Sequence, residues 1–207
     1  MKKVLHFLCG AKGRPLHTLF NGKEWEEVRL DHRAEVQPSI LCHWRELDRL
    51  EAGSFDGIWS GFGLNRIPSN ETSKLLKDWL RLLKPDGKVV TCVTNVRKLG
   101  EMAYKQGWDR PREGENLSPM DWWYGDPGRL GMPLLSGFSS STLAKAFADV
   151  GFTEVEVKVS GPQLILAASR QEREGPPRLA IKEEDINRMM LKRDRLDQAP
   201  QMNVTYP

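Results

Sequence analysis

Long apolar runs are missing from this chain of 207 residues. No stretch approaches the ~20 apolar residues of a membrane-spanning helix, so the sequence carries no membrane span. The opening MKKVLHFL has a basic pair ahead of an apolar run too short for a secretory leader, with no small-residue cleavage site after it. That predicts a cytoplasmic protein. Cysteine is scarce: Cys9, Cys42 and Cys92 are odd in number, far apart and without C-x-x-C spacing. This pattern indicates neither a disulfide framework nor a zinc site and predicts buried thiols. Charge of one sign is lacking too, since 31 Lys and Arg face 28 Asp and Glu, a net +3 too mild to predict a nucleic-acid partner. The G-x-G-x-x-G fingerprint is absent, because Leu8 stands at its first position and only Gly10 and Gly13 remain; this disfavours a nicotinamide oxidoreductase. No G-K-[ST] follows, which excludes a P-loop. There is no internal repeat.

What is present alternates. Residues 3–8 read as a short buried strand, and residues 28–30 and 58–60 as two more. Between Glu71 and Leu83, the residues Leu75, Leu76, Trp79, Leu80 and Leu83 recur at helical spacing, with Ser69 or Asn70 available as cap. KPDG (84–87) predicts a helix stop and a chain reversal. KVVTCVT reads as a central strand. Residues 139–150 predict a second amphipathic helix with Leu143, Ala146, Phe147 and Val150 on one face, closed by Gly151 in a left-handed cap. EVEVKV and LILAA predict an antiparallel pair around Gly161-Pro162. The whole predicts an α/β fold: a doubly wound, mostly parallel Rossmann-like sheet with a terminal antiparallel hairpin.

In such sheets ligands bind outside the carboxyl ends of the strands, which directs attention to residues 9–13. Six stretches then occur in order: VLHFLCG, VRLDHRAEVQPSIL, GSFDGIWSGFGLNRI, LLKPDGKVV, MDWWYGD and SGFSSSTLAKAFADVGF. Their order and spacing resemble the class I S-adenosylmethionine-dependent methyltransferases, specifically the small bacterial proteins that open with an L-H-x-G-C-G loop. The resemblance covers residues 2–170.

The resemblance implies roles position by position. The loop after the first strand wraps the methionine end of the cofactor; here Cys9 and Gly10 remain, and Leu8 replaces the preceding glycine. The acid ending the second strand holds the ribose hydroxyls, a role that falls to Asp31. His43 stands where an acid usually meets the adenine amino group. A neutral imidazole can accept that hydrogen bond, and the adjacent Trp44 could stack on the purine. After the fourth strand Ser60 and Leu64 keep the scaffold of a polar run near the reacting methyl. Both histidines and the acid of that run are gone, so no catalytic base is assigned. No [DN]-P-P-[YFW] signature marks an enzyme acting on nucleic-acid bases.

Trp122, Trp123 and Tyr124 cluster in a Gly/Pro-rich insertion that the resemblance places beside the acceptor pocket, as a substrate or partner surface. Two segments follow: a methyltransferase-like α/β domain at 1–170, and a charged linker with a helical docking tail at 171–207. Along that tail Ile186, Met189, Met190 and Leu196 form an apolar stripe that predicts docking on its own sheet or homodimerisation. Two functions stay open. One is O- or N-methyl transfer to a small-molecule acceptor, with S-adenosylmethionine as a weakly held cofactor. The other is a non-catalytic methyltransferase-fold protein, its cofactor lost, that serves a protein partner.

Overall fold

The computed structural model describes residues 1–111, 117–125, 133–170 and 175–182. Five strands pair in parallel in the order β3-β2-β1-β4-β5: β1 (Lys2–Phe7), β2 (Trp25–Asp31), β3 (Ile40–Leu41), β4 (Phe55–Gly61) and β5 (Leu83–Thr94). In β1, Val4, Leu5 and Phe7 are all buried, as expected of a central strand covered on both faces. The predicted hairpin follows as β6 (Glu154–Ser160) and β7 (Gln163–Ser169), turning at Gly161 with φ 54°. β7 inserts between β5 and β6 and runs antiparallel to both.

Two helices build the main core. α1 (Thr72–Leu82) turns down Leu75, Leu76, Trp79 and Leu82, and a later helix (Ser140–Asp149) turns down Leu143, Ala144 and Phe147. They meet Leu5 and Phe7 of β1 in one cluster. Trp79 is its largest fully buried member, edge-on to Phe7 at 5.1 Å and 6.4 Å from Phe147. Burying an indole contributes on the order of 4 kcal/mol. The later helix starts at a Ser139–Thr142 capping box that the sequence reading did not name, and Gly151, the predicted stop, follows it at the positive φ of 107°. The opposite sheet face carries a smaller cluster of Val4, Phe20 and Val90, flanked by Leu16, Trp25, Trp59 and Ile165.

Four local features differ from the sequence reading. KPDG does not reverse the chain but lies inside β5 as an irregularity, with Asp86 at φ 61° and a register shift against β4. A Cβ on Gly87 would stand 2.9 Å from the Lys84 carbonyl, so the bulge requires glycine there. Neither Ser69 nor Asn70 caps α1, because a 3₁₀ turn over Ser69–Glu71 runs straight into it. Among the described residues, two helices lie between β5 and the Ser139 cap, α2 (Val96–Gln106) and α3 (Pro119–Tyr124), and the Ser140–Asp149 helix is labelled α4. Finally, Arg178–Lys182, read as the end of a linker and the start of a tail, forms β8, a parallel edge strand on β6. The apolar stripe Ile186, Met189, Met190 and Leu196 lies outside the described residues.

Candidate ligand crevice

The crevice forms where β1, β2 and β4 end. β1 stops at Phe7 and the chain bends through Leu8 at φ 48° and Gly10 at φ 65°. A left-handed leucine costs roughly 1–2 kcal/mol. Its side chain recovers that cost, because Leu8 is buried in the main core together with Cys42 and Trp44, a gain of ~1.5–3 kcal/mol. Leucine therefore keeps the glycine-type bend while filling space beside it. Cys9 continues the pairing of the sheet, its N–H donating to the Leu30 carbonyl at 3.0 Å. Its thiol is buried, donates to the Gly10 carbonyl at 3.6 Å, and is pushed up from its ordinary pKa chiefly by burial. That leaves an inert thiol.

Asp31, at the end of β2, is fully buried and bridges the two strand ends. Its Oδ2 accepts the Gly10 N–H at 3.0 Å and the Arg33 Nη2 at 3.2 Å. Its Oδ1 accepts both the backbone N–H and the Nε of Arg33 at 3.1 Å. Burial pushes this carboxyl up, but the Arg33 hydrogen bonds, the Gly10 N–H and the Arg33 charge outweigh it and hold it below its ordinary value. Four donors saturate the carboxylate. Ribose hydroxyls reach it only if the Arg33 guanidinium swings away. The glycine loop and the acid are thus tied together through the Gly10 N–H, and Arg33 takes the remaining lone pairs of the carboxylate.

The neighbouring positions have been put to other uses. His43 caps the 3₁₀ turn Trp44–Arg49, its Nδ1 accepting the Arg45 N–H at 3.2 Å. Burial first, then His32 and Arg45, keep the ring below its ordinary pKa, so at neutral pH its remaining Nε2 is a donor. The acceptor that the resemblance asked of His43 is spent on the backbone. Trp44 is buried in the core, and the Arg45 guanidinium lies 4.3 Å over its ring. Stacking on a purine is closed to it. Ser60 is fully buried with no partner for its hydroxyl among the described residues; a Cβ on Gly63 would stand 2.7 Å from that oxygen.

Three contributors went unnoticed in the sequence: Arg33, Asn65 and Arg66. Buried Asn65 ties three segments together, its Oδ1 accepting the Thr94 N–H at 3.0 Å and its Nδ2 donating to the Ser136 carbonyl at 2.7 Å. Arg66 is only 5% exposed; its backbone N–H donates to the Gly63 carbonyl at 3.1 Å, and its side chain has no hydrogen bond or ion pair among the described residues. The signal for Arg33 was local, since an aspartate commonly accepts the N–H two residues on.

The aromatic insertion stands beside this end of the sheet. α3 carries a Ser118–Asp121 capping box. Trp123 and Tyr124 line a cavity of about 160 Å³ with Thr94, Val96, Leu134 and Leu135. Trp122 does not line it and packs on Phe62 at 5.9 Å instead. Trp123 also meets Trp108 edge-on at 5.5 Å.

The strand order β3-β2-β1-β4-β5-β7-β6, with β7 antiparallel, decides the fold. The chain has the class I methyltransferase fold. A family model for the methyltransferase domain matches residues 24–91, which reach from β2 into β5 and include Asp31 but not the first loop. Among solved structures, the chain is 16% identical to the Burkholderia thailandensis 1,6-didemethyltoxoflavin-N1-methyltransferase with bound 1,6-didemethyltoxoflavin and S-adenosylhomocysteine. That likeness covers 83% of this chain and 72% of that one, at a TM-score of 0.53. A Methanosarcina mazei S-adenosylmethionine-dependent methyltransferase is 15% identical over 83% of this chain and 93% of its own, at 0.54. A chain from the complex between the Haloferax volcanii Trm112 methyltransferase activator and its candidate methyltransferase is 13% identical over 83% of both, at 0.56. No curated protein matches by sequence. Among the described residues, no helix is long and apolar enough to cross a membrane and no group of side chains could hold a metal ion.

Proposed function

We propose that this protein is a small-molecule methyltransferase of the class I type, transferring a methyl group to oxygen or nitrogen, whose cofactor crevice is closed at rest by Arg33. The observation that carries this reading is the link from the Gly10 N–H to Asp31, which joins the glycine loop to the acid of β2. S-adenosylmethionine would supply an activated methyl group there, with Asp31 holding the ribose and Trp123 and Tyr124 flanking the acceptor. Placement supplies much of the catalysis in a displacement of this kind, so the loss of a polar base is compatible with activity. A second reading, a non-catalytic protein serving a partner, is favoured by Leu8, whose side chain belongs to the core.

Arg33→Ala tests the first reading. Removing the guanidinium leaves Asp31 its Gly10 partner and frees oxygen lone pairs for hydroxyls. S-adenosylhomocysteine should then bind about tenfold tighter, roughly 1.4 kcal/mol, as the competing charge-assisted bonds disappear. The melting temperature should fall, because a buried carboxylate loses its ion pair. Unchanged or weaker binding in the variant would show that Arg33 is structural and that Asp31 does not hold a ribose.

A further inference from the structure

The polar group that neither the fold nor the proposed reaction uses is the hydroxyl of Thr94. Thr94 ends β5, is 2% exposed, and its Oγ1 is buried with no hydrogen-bond partner among the described residues. A buried hydroxyl left unpaired is unfavourable and marks a place where a ligand can supply the missing partner. Thr94 also lines the cavity of about 160 Å³ beside α3, so a ligand has room to reach it.

Hydrogen bonds hold the walls of this cavity in place. Asn65, in the turn after β4, fixes two of them: its Oδ1 accepts the Thr94 N–H at 3.0 Å, and its backbone carbonyl accepts the N–H groups of Leu135 and Ser136 at 2.7 and 3.0 Å. The Ser136 hydroxyl donates to the Leu64 carbonyl at 3.2 Å, which ties the same wall to that turn. The Leu134 N–H donates to the Tyr124 carbonyl at 3.0 Å and so joins the aliphatic wall to the aromatic one. Trp123 is braced by Trp108, edge-on at 5.5 Å. These walls select by size and polarity. A dry apolar cavity of about 150 Å³ holds one benzene ring. Trp123 and Tyr124 offer aromatic area for such a ring, and Val96, Leu134 and Leu135 offer aliphatic area. A carboxylate on the ring would meet no counter-charge among the described lining residues.

We infer that the cavity binds an uncharged single-ring aromatic molecule carrying one hydroxyl or ring N–H. The ring packs against Trp123, Tyr124 and the two leucines, and its polar group pairs with the Thr94 hydroxyl, which can donate or accept. That molecule is the methyl acceptor, a phenol-type or heteroaromatic compound rather than a sugar or a carboxylic acid. Its role as acceptor rests on the proposed reading in which Trp123 and Tyr124 flank the acceptor; its binding does not.

The test is fluorine NMR of the full chain at neutral pH with three probes of similar shape: 4-fluorophenol, fluorobenzene and 4-fluorobenzoate. Saturable line broadening reports binding. 4-Fluorophenol should bind, fluorobenzene severalfold more weakly, and 4-fluorobenzoate about tenfold more weakly or worse. Thr94→Val keeps the shape of the wall without its hydroxyl. It should bring 4-fluorophenol down to the level of fluorobenzene and leave fluorobenzene unchanged. Leu135→Trp, at a half-exposed wall position that takes a larger side chain without unfolding, should abolish binding of both neutral probes. The proposal is overturned by 4-fluorobenzoate binding as tightly as 4-fluorophenol, or by 4-fluorophenol binding that Thr94→Val leaves intact. Neutral-probe binding that survives Leu135→Trp, or none in the wild type, overturns it too. The two readings fail separately. Binding of 4-fluorophenol without any binding of S-adenosylhomocysteine upholds the cavity and removes methyl transfer, and the reverse pattern removes the cavity and upholds the cofactor site.

Discussion

Leu8 sets a balance between backbone strain and side-chain burial. Substituting glycine relieves ~1–2 kcal/mol of left-handed strain but gives up ~1.5–3 kcal/mol of burial and adds ~0.5–1 kcal/mol of chain entropy. Leu8→Gly should therefore be folded and about 1–2 kcal/mol less stable, seen as a lower denaturation midpoint with unchanged slope. A stabilised variant would mean that the core at Leu8 contributes little. A second residue-scale effect concerns pH. His6 is buried, its Nδ1 2.6 Å from Glu27, and burial outweighs that partner and keeps its pKa below the ordinary value. Burial also lowers His17 and His43. A histidine whose pKa is depressed by folding favours the folded state above its unfolded value and costs stability as pH falls below it. Melting temperature should thus be level above pH 7 and decline from about pH 6.5 downward, well before the depressed Asp31 begins to matter. His6→Asn keeps an N–H for Glu27 and should flatten part of that decline; an identical slope would remove His6 from the account.

At the scale of elements, the strands and helices with strong periodicity were legible in advance, α1 and α4 above all. What escaped was set by contacts rather than by pattern. KPDG has turn chemistry, yet Asp86 and Gly87 spend it on a bulge within β5. α2 has three buried apolar residues, Leu99, Met102 and Ala103, among charged ones, too weak a stripe to announce itself. β8 is only five residues long and mostly exposed. In the crevice, Asp31 was recognised by its place at the end of β2. Arg33 and Arg66 were not, because no spacing rule says that a basic side chain will fold back over an acid or remain unpaired. β8 also yields a prediction. It covers the outer edge of β6 from Glu154 to Lys158, with Ile181 packed against the core. A chain ending at Arg170 leaves that edge open to pairing with other molecules. It should melt about 4 °C lower and aggregate during concentration, by scattering or sizing chromatography. A truncated chain as soluble and as stable as the full one would show that β8 is dispensable.

For the molecule as a whole, the sheet and its strand order belong to the methyltransferase fold, and the acid at the crevice is already held by Arg33. S-adenosylmethionine carries a sulfonium and an ammonium against one carboxylate, a net positive ligand. It would enter a site that Arg33 and Arg66 line with positive charge, and Arg33 must first leave Asp31. Each condition weakens affinity, since a binding-competent state that is seldom populated raises the apparent dissociation constant. Isothermal titration of S-adenosylmethionine into the full chain measures this most directly. The account predicts a dissociation constant of ~0.1 mM or weaker, about −5.5 kcal/mol or less favourable, tightened by Arg33→Ala. A low-micromolar constant for the unaltered protein would contradict it and mark the crevice as an ordinary cofactor site, open at rest.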